Sequence, residues 1–486
     1  MTRLQLSNPF ILDLRSLALV RIGAALLLLL DLAIRWPDIA VFYLPQGVCP
    51  IEAMPHSHWT MKHLELYRWV SQAWGATGVS ALFLLAAAAA ICLGLGFYSR
   101  TSAAISWYLL ASLQNRNIYL NDGGDLLLRV ILLICVFLPI GARWSWDARR
   151  KADWQRLPNA YFSLATLAYV VQVCMMYWMA GWLKQDESWR VTGDALFLAL
   201  SIDQFNTGLA QQLLAHPSLL RVLNFLTLAL EFCAPLFLLC PYFQAYVRLL
   251  GVVLLMAFHL GVASCLHLGL FMPICLVVLL GLLPGLVWDR HASLPGPEGP
   301  SPERLPSGYQ LSRASRAFLA TAVLFVVVQN AYTVPDARML AGGHELRWIL
   351  GYGRATGLMQ NWTLFAPHPL KEDGWFVVEA QRASGSKVDL LTGRAPTYAK
   401  PARVSAQFRN QRWRRHFQNL WMRYNPRHIP LYLRWAQQQW NQQQADQDPV
   451  VSTRLVFVRE MTELPGIPAR TQPVILGEYP SQWLFD

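Results

Sequence analysis

The sequence predicts an all-α multi-pass membrane bundle of about nine transmembrane helices, followed by a small α+β extramembrane domain at the C-terminal end. Of the 486 residues, 54% are hydrophobic and only 14% are charged, whereas about a quarter of the residues in a soluble domain are charged. Long apolar runs recur through the first two thirds of the chain, as is typical of membrane spans. The many tryptophans agree with this class, because indole rings favour the membrane–water interface.

Polar loops set the predicted limits of the spans. The first apolar run carries Arg21 and Asp31 and has no small-residue cleavage site, so we expect a retained span rather than a signal peptide. The predicted spans are 15–34, 77–97, 101–118, the run between the 121–125 turn and 139–141, 163–183, 219–240, 246–268, 270–288 and 315–333.

Composition divides the chain into four parts. We expect a transmembrane domain with eight spans at residues 1–292, a linker rich in proline and glycine at 293–314, a ninth span at 315–333 and a basic α+β domain at 334–486. The loop at 143–156 is rich in arginine, whereas the loop at 185–217 has only one basic residue, Arg190. The positive-inside rule therefore predicts a cytoplasmic N-terminus and an external C-terminal domain.

The residues after the last span have a different pattern. Residues 374–391 alternate around a turn at 383–386 and predict a β-hairpin, 404–444 are helical in period with a break at Pro426 and Pro430, and 451–460 predict another strand. From residue 335 onward there are 19 Lys and Arg against 12 Asp and Glu. This charge suits an anionic membrane surface or an acidic substrate, or it is an ordinary solvated surface. Nucleic acid is not an expected partner, because no recognition motif accompanies the charge.

No metal site is predicted. Seven of the eight cysteines lie inside apolar runs, and there is no CxxC pair. The histidines at 56, 58 and 63 lack the spacing of a zinc site. We interpret the cysteines as small residues of a helical core.

Ionisable side chains inside spans are costly and usually face a bundle interior or a wet cavity. Asp125 and Arg129 are spaced i,i+4, so they are interpreted as a helix-start acid paired with an arginine one turn on, with a charged pair lining a cavity as the functional alternative. Glu231 has no charged residue within a turn and therefore needs a partner from another helix, for which Arg129 and His259 are candidates together with Arg21.

Lys184 is the most informative residue, because it ends the fifth predicted span in the segment YWMAGWLKQDESW. One interpretation is an interface anchor whose ammonium reaches the headgroups. The other is an amine that apolar burial keeps neutral, so that it can act as a base. Tyr177 and neighbouring tryptophans favour the base, whereas Asp186 and Glu187 would keep the amine charged if they faced it.

Several segments, taken in their order along the chain, resemble the HTTM domain, the membrane module shared with vitamin K-dependent γ-glutamyl carboxylase. They are RSLALVRIGAALLLLLDLAIR, NDGGDLLLR, FLPIGARWSWDA, YWMAGWLKQDESW, EFCAPLFLL, FHLGVASCLHLGLF, NWTLFAPHP and the basic stretch at 412–415. The resemblance covers most of the chain. Together with the absence of organellar signals, it implies a bacterial inner (cell) membrane.

The resemblance implies chemistry for particular residues. In the carboxylase a lysine of the corresponding segment deprotonates reduced vitamin K, and oxygen and carbon dioxide enter afterwards; that lysine matches Lys184. The phenylalanine–histidine pair of the seventh span matches Phe258 and His259. We therefore expect Lys184 and His259 as catalytic residues, a reduced quinone as cofactor, and an external protein or peptide as substrate. Residues expected to line the cofactor site are Asp125, Arg129, Tyr177 and Glu231.

One departure affects the second half of that reaction. The carboxylase has a histidine in the run before NDGGD, and this chain has Asn117. The first hypothesis is therefore a quinol-dependent membrane enzyme, and Asn117 leaves undecided whether it also carboxylates its substrate. The alternatives are a non-catalytic module that binds or moves a lipid-like molecule, and a structural partner of an envelope complex.

Overall fold

The protein is described by a computed structural model that covers residues 7–51, 61, 63–151, 154, 158–289, 310–334, 347–422, 427–444, 448–464, 467 and 469–480. Most of the predicted linker lies outside the described residues, as do His56, His58 and Pro426.

Helices dominate the first 333 residues. They are α1 Leu14–Arg35, α2 Ile39–Phe42, α3 Leu66–Leu95, α4 Ser99–Arg116, α5 Gly123–Cys135, α6 Trp146–Arg150, α7 Leu164–Leu183, α8 Glu187–Arg190, α9 Ala195–Leu200, α10 Gly208–Leu213, α11 Pro217–Leu239, α12 Gln244–Cys265, α13 Phe271–Leu280 and α14 Arg313–Thr333. Later in the chain follow α15 Arg347–Thr356, α16 Gln411–Trp421 and α17 His428–Gln443.

Side-chain caps fix where the main helices begin. Asp13 accepts a hydrogen bond from the Arg15 N–H at the start of α1, and Ser163 forms a capping box with Thr166 at the start of α7. These bonds satisfy backbone donors that have no partner inside the helix. The caps place both helix starts at the ends of the apolar runs seen in the sequence.

Six described helices are long and apolar enough to cross a membrane: α1, extended through Phe42, and α3, α7, α11, α12 and α14. The expected count of about nine spans is not confirmed. Three predicted spans fall short: α4 carries arginine near both ends, and α5 and α13 have only 13 and 10 residues. A helix of 13 residues is about 20 Å long, less than the hydrocarbon thickness of a bilayer.

The short helix α5 lies at the centre of the bundle. All of its residues except Gly123 are buried, and it packs against α1, α4, α7 and α13. Large apolar side chains such as Leu84, Leu236 and Leu254 are instead exposed on α3, α11 and α12. Their exposure is what a lipid-facing perimeter requires, because lipid takes the place of protein contacts there.

An antiparallel four-stranded sheet follows the bundle. Its strands are β3 Glu372–Arg382, β4 Lys387–Asp389, β5 Val450–Met461 and β6 Thr471–Tyr479, in the order β4-β3-β5-β6. A further two-residue pair, β1 Leu12–Asp13 with β2 Ala160–Tyr161, lies beside α1. The predicted hairpin and the predicted strand at 451–460 are confirmed. Of the two positions of the predicted helix break, Pro426 lies outside the described residues, and Pro430 lies inside α17, so the prediction of a break at Pro430 is wrong.

Helix α16 joins the sheet to the bundle. Phe417 of α16 packs on Phe376 of β3, while Trp413 packs on Phe42. On its other side, Asn419 donates a hydrogen bond to the Tyr119 carbonyl. The C-terminal sheet and α16 are therefore held against the bundle through both apolar and polar contacts.

A buried carboxyl at this junction predicts a pH-dependent stability. Asp373 of β3 accepts a hydrogen bond from the Asp203 N–H, and burial, aided by the nearby Asp203 carboxylate, raises the pKa of Asp373 to about 7 from 3.8. Because the folded-state pKa lies above the unfolded value, the stabilising contribution is complete below about pH 4 and is lost as pH rises through about 7. Relative to the wild type, Asp373→Asn should gain about 3 kcal/mol of unfolding free energy between pH 5 and pH 8, since each pH unit up to the folded pKa corresponds to about 1.4 kcal/mol.

The exposed Asp448 provides the control for this measurement. Hydrogen bonds from Ser384 lower the pKa of Asp448, so Asp448→Asn should show no such trend over the same range. A flat difference between wild type and Asp373→Asn from pH 5 to pH 8 would contradict the prediction.

Candidate functional site

Lys184 lies directly after α7, where the apolar helix stops. Its backbone N–H bonds to the Gly181 carbonyl in a tight turn, and Asp186 then caps α8 through the Ser188 N–H. The side chain turns back along α7 and is only 2% exposed. The ammonium therefore lies in the protein interior rather than at the headgroup level that an anchoring lysine would reach.

Glu231 of α11 is the partner of Lys184. The Nζ donates to Glu231 Oε1 at 2.7 Å, to Oε2 at 2.9 Å and to the Ala180 carbonyl at 3.0 Å. Three acceptors match the three donors of an ammonium group. The sequence-based expectation that Glu231 binds a residue of another helix is met, but by Lys184 rather than by Arg21, Arg129 or His259.

This geometry defines what the pair can do with a proton. A lysine with three hydrogen-bond acceptors is arranged as an ammonium, and an ammonium is not a base. In a medium of low dielectric constant, however, charged groups tend to neutralise, and the two carboxylate oxygens can take the proton. The geometry therefore allows a proton to move between the Lys184 Nζ and the Glu231 carboxylate within one hydrogen-bonded pair.

Pro235 removes the helical hydrogen bond to the Glu231 carbonyl in α11. A proline inside a helix has no N–H for the carbonyl four residues earlier and also pushes against it. That carbonyl belongs to Glu231 itself. The sequence EFCAP thus combines the buried acid with a local break in the backbone hydrogen bonding at the same turn.

Gly181 allows α7 and α11 to approach each other at this point. A Cβ atom at Gly181 would lie 3.2 Å from the Glu231 Cβ and 3.4 Å from the Phe232 ring. We expect Gly181→Val to separate the helices and to lower the unfolding free energy by about 1–3 kcal/mol, as overpacking does. The matched control is Gly261→Val on α12, where a Cβ meets nothing within 4 Å. Equal stability of the two variants would show that the close approach is unimportant.

A second polar pair lies about two turns earlier along α7. The Tyr177 hydroxyl and His259 Nε2 of α12 are 2.7 Å apart, and the rings of Phe258 and Phe271 pack against the imidazole. His259 Nδ1 is buried and has no hydrogen-bond partner among the described residues. Because Tyr177 and Lys184 are seven residues apart, they lie on the same face of the helix.

Asp125 does not pair with Arg129, so that prediction is wrong. Asp125 accepts hydrogen bonds from Arg35 and from both terminal nitrogens of Arg412, and its Oδ2 also accepts the Asp122 N–H. The expectation that Asp125 opens the helix is confirmed, since it completes the capping box of α5. Its oxygens are thus occupied by structural partners.

Arg129 is bound elsewhere. Its Nη1 donates to Gln114 Oε1 at 2.7 Å and its Nε to the Gly357 carbonyl at 3.1 Å. Arg129 therefore bonds a neutral amide and a carbonyl rather than Asp125, because two other guanidinium groups already occupy the Asp125 carboxylate. Asp125 and Arg129 therefore do not form one charged wall with Lys184.

Asn117, at the position of the family histidine, is completely buried. Its Nδ2 donates to the Phe42 carbonyl at 3.2 Å, and its Oδ1 has no partner among the described residues. The neighbouring Arg116 donates to the carbonyls of Tyr43, Leu44 and Cys49. These contacts hold the segment before α3 against the end of α4.

Two features escaped sequence reasoning. The first is the Lys184–Glu231 pair. The sequence indicates only that each of the two residues is an isolated charge in an apolar segment. The second is the buried network formed by Asp31, Arg35, Asp125 and Arg412. An i,i+4 spacing of Asp31 and Arg35 was visible, but Arg412 lies 287 residues after Asp125, and no local pattern connects them.

The segment 361–369 is hydrogen-bonded to the residues that follow Lys184. The Trp189 Nε1 donates to the Phe365 carbonyl at 3.0 Å, and the Asp186 N–H donates to the Pro367 carbonyl. The Lys184 ammonium lies 5.1 Å from the centroid of the Trp189 ring. The segment is thus bound to the turn and short helix that follow Lys184.

A family model matches the part of the chain that holds most of these residues. The model of the HTTM domain matches residues 12–283, which include α1, the capped start of α5, the Lys184 turn, Glu231 and His259. No curated protein matches the chain, and no solved structure does. Since the matched segment is more than half of the chain, the protein belongs to the HTTM domain family.

Proposed function

We propose that the protein is a quinol-dependent membrane enzyme in which the Lys184–Glu231 pair removes a proton from the bound quinol. The observation that supports it is a fully hydrogen-bonded lysine–carboxylate pair, 2% and 4% exposed, at the end of a membrane-spanning helix. Ionisable groups buried within membrane helices are rare and commonly mark functional sites. The resemblance to the carboxylase gives the lysine the same role.

The surrounding residues fit a reduced quinone. Such a molecule supplies an acidic hydroxyl on an apolar ring. Phe258 and Phe271 pack against the His259 ring and would provide an apolar lining, and His259 Nδ1, which has no hydrogen-bond partner among the described residues, would offer a hydrogen-bonding atom beside them. Lys184 would pass its proton to Glu231 and would then be free to accept a proton from a bound hydroxyl. Tyr177 holds His259 through the 2.7 Å contact and thereby orients the ring.

The experiment uses purified full-length protein with reduced quinone and oxygen, and it measures quinone epoxide formation. Lys184→Ala and Glu231→Gln should each lower the rate by about 100-fold or more, as the loss of a general base does. Lys387→Ala, at an exposed lysine of β4, is the matched control and should keep the wild-type rate. Equal activity of wild type and Lys184→Ala, or none in either, would refute the proposal.

The finer topology is part of the same proposal: nine membrane segments, a cytoplasmic N-terminus, an external C-terminal domain, and a bacterial inner membrane. The orientation is supported by the positive-inside pattern of the loops at 143–156 and 185–217. Reporter fusions after residues 151 and 480 test it. Opposite sides for the two fusions support the orientation, and the same side for both excludes it.

A second candidate is a module that binds a lipid-like molecule without chemistry. It is favoured by an apolar groove between α5, α7 and α14, in which Gln172 is the one polar lining residue. A bound lipid that copurifies with a protein inactive in the epoxide assay would favour this function over the first.

A further inference from the structure

A polar cavity of about 450 Å³ lies where α12 and α13 meet the start of α16. Its volume is in the range of small-molecule sites. The bundle contributes mainly apolar lining residues, such as Leu266 and Met272. The C-terminal segment contributes Phe408 and the polar residues Arg403, Asn410 and Arg414.

The charge of the cavity is of one sign. None of its lining residues is Asp or Glu, whereas two arginines and His267 line it. Neither Arg403 nor Arg414 forms a salt bridge within the described residues, although the Asp122 carboxylate acts on Arg414 through space. Guanidinium groups that line a cavity and are not bonded to a carboxylate favour an anion, and phosphate oxygens match their planar donor geometry.

Arg414 is held in place rather than free to rotate. Its Nη1 donates to the His267 carbonyl, and its Cζ lies 4.6 Å from the centroid of the Phe205 ring. Burial lowers the pKa of Arg414 to about 10, so the side chain remains a cation at neutral pH. A fixed cation loses little conformational entropy when a ligand binds.

Gln411 is built into the same wall. Its Oε1 accepts the Leu270 N–H at 2.9 Å, while its Nε2 has no hydrogen-bond partner among the described residues. Gly269 has φ of +66°, and a Cβ atom there would lie only 1.6 Å from that Oε1. The chain therefore has glycine where the 266–270 connection passes against Gln411.

The cavity adjoins the lipid-facing side of the bundle. Leu260 on the last turns of α12 is 54% exposed, and Ala263 and Leu266, which follow it, line the cavity. A ligand with an anionic head and an apolar body can meet both surfaces at once. Basic pockets at helix ends bind lipid headgroups in this way.

From this geometry we propose that the cavity binds the phosphate headgroup of an anionic phospholipid, with Arg414 and Arg403 as the phosphate ligands. The inference is independent of the quinol chemistry, because none of the cavity-lining residues belongs to the Lys184 site. It assigns the basic C-terminal segment a specific lipid contact in place of general attraction to a charged surface.

The test is native mass spectrometry of the full chain in detergent micelles, titrated with phosphatidylglycerol or phosphatidylcholine of the same acyl length. We expect tighter binding of phosphatidylglycerol, and at least about a ten-fold weaker binding in Arg414→Gln. Arg403→Gln should weaken binding as well, and it is safe for folding because this side chain is exposed. Arg459→Gln, on β5 outside the cavity, is the matched control.

Three results would overturn the proposal. The first is equal binding of the two lipids, and the second is unchanged phosphatidylglycerol binding in both Arg414→Gln and Arg403→Gln. The third comes from a competition arm with inorganic phosphate or an acidic peptide. If either displaces phosphatidylglycerol at an equal concentration in an Arg414-dependent manner, the site belongs to that free anion and not to a lipid.

Discussion

Replacing Arg412 by methionine is expected to lower the unfolding free energy by about 3–5 kcal/mol, as the loss of one partner from a buried charge network does. Arg412 binds Asp31 through Nη2 at 2.6 Å and Asp125 through both terminal nitrogens. Arg35 binds the same two carboxylates. The four side chains are at most 4% exposed, so their charges balance only while all four are present.

Without Arg412, the site keeps two carboxylates and one guanidinium. A buried carboxylate without a partner costs several kcal/mol even after the protein relaxes. The measurement is unfolding of the full chain in mixed micelles. Arg459→Met is the control, because its ion pair with Glu372 is about two-fifths exposed and such pairs contribute about 0–1 kcal/mol. Similar losses in the two variants would show that the network is not a coupled unit.

The second large effect concerns Lys184 and Glu231. Lys184→Met and Glu231→Met should each lower the unfolding free energy by about 3–5 kcal/mol, because each leaves its partner as an uncompensated buried charge. The double variant should recover most of that loss, since an apolar pair of similar volume often replaces a buried ion pair without cost. The measurement is a double-mutant cycle on the unfolding free energy.

The same three variants separate stability from chemistry. The double variant should fold like the wild type and still form no epoxide, whereas a purely structural pair would leave the double variant active. Additive losses in the cycle, with no recovery, would contradict the coupling of the two side chains.

Much of the fold could be predicted because the signals are local. Apolar runs give α1, α7, α11, α12 and α14 to within a few residues, and alternation gives the β3–β4 hairpin. Helix α3 begins eleven residues earlier than expected, at Leu66, because the chain passes a kink at Gly75, where φ is +54°. The helix before that kink is too polar to resemble a span.

The errors in the predicted spans, strands and side-chain partners have a different cause. A buried helix in the middle of a bundle is apolar whether or not it crosses a membrane, so hydropathy cannot distinguish α5 or α13 from true spans. Strand β6 was missed because its burial is partial, with no regular alternation. The partners of Glu231 and Asp125 were missed because pairing across helices depends on rotation and register, which a single sequence does not contain.

The Arg412 network has a consequence for how the chain is made. Asp31 emerges early in synthesis, and Arg412 follows 381 residues later, which at about 5–20 residues per second is an interval of roughly 20–80 s. During that interval Asp31 and Asp125 share a single guanidinium, that of Arg35, and the segment that matches the family ends before the second one is made. Completion of the charge network therefore waits for α16, and a chain that stops short of α16 leaves one unbalanced acid for cellular quality control to detect.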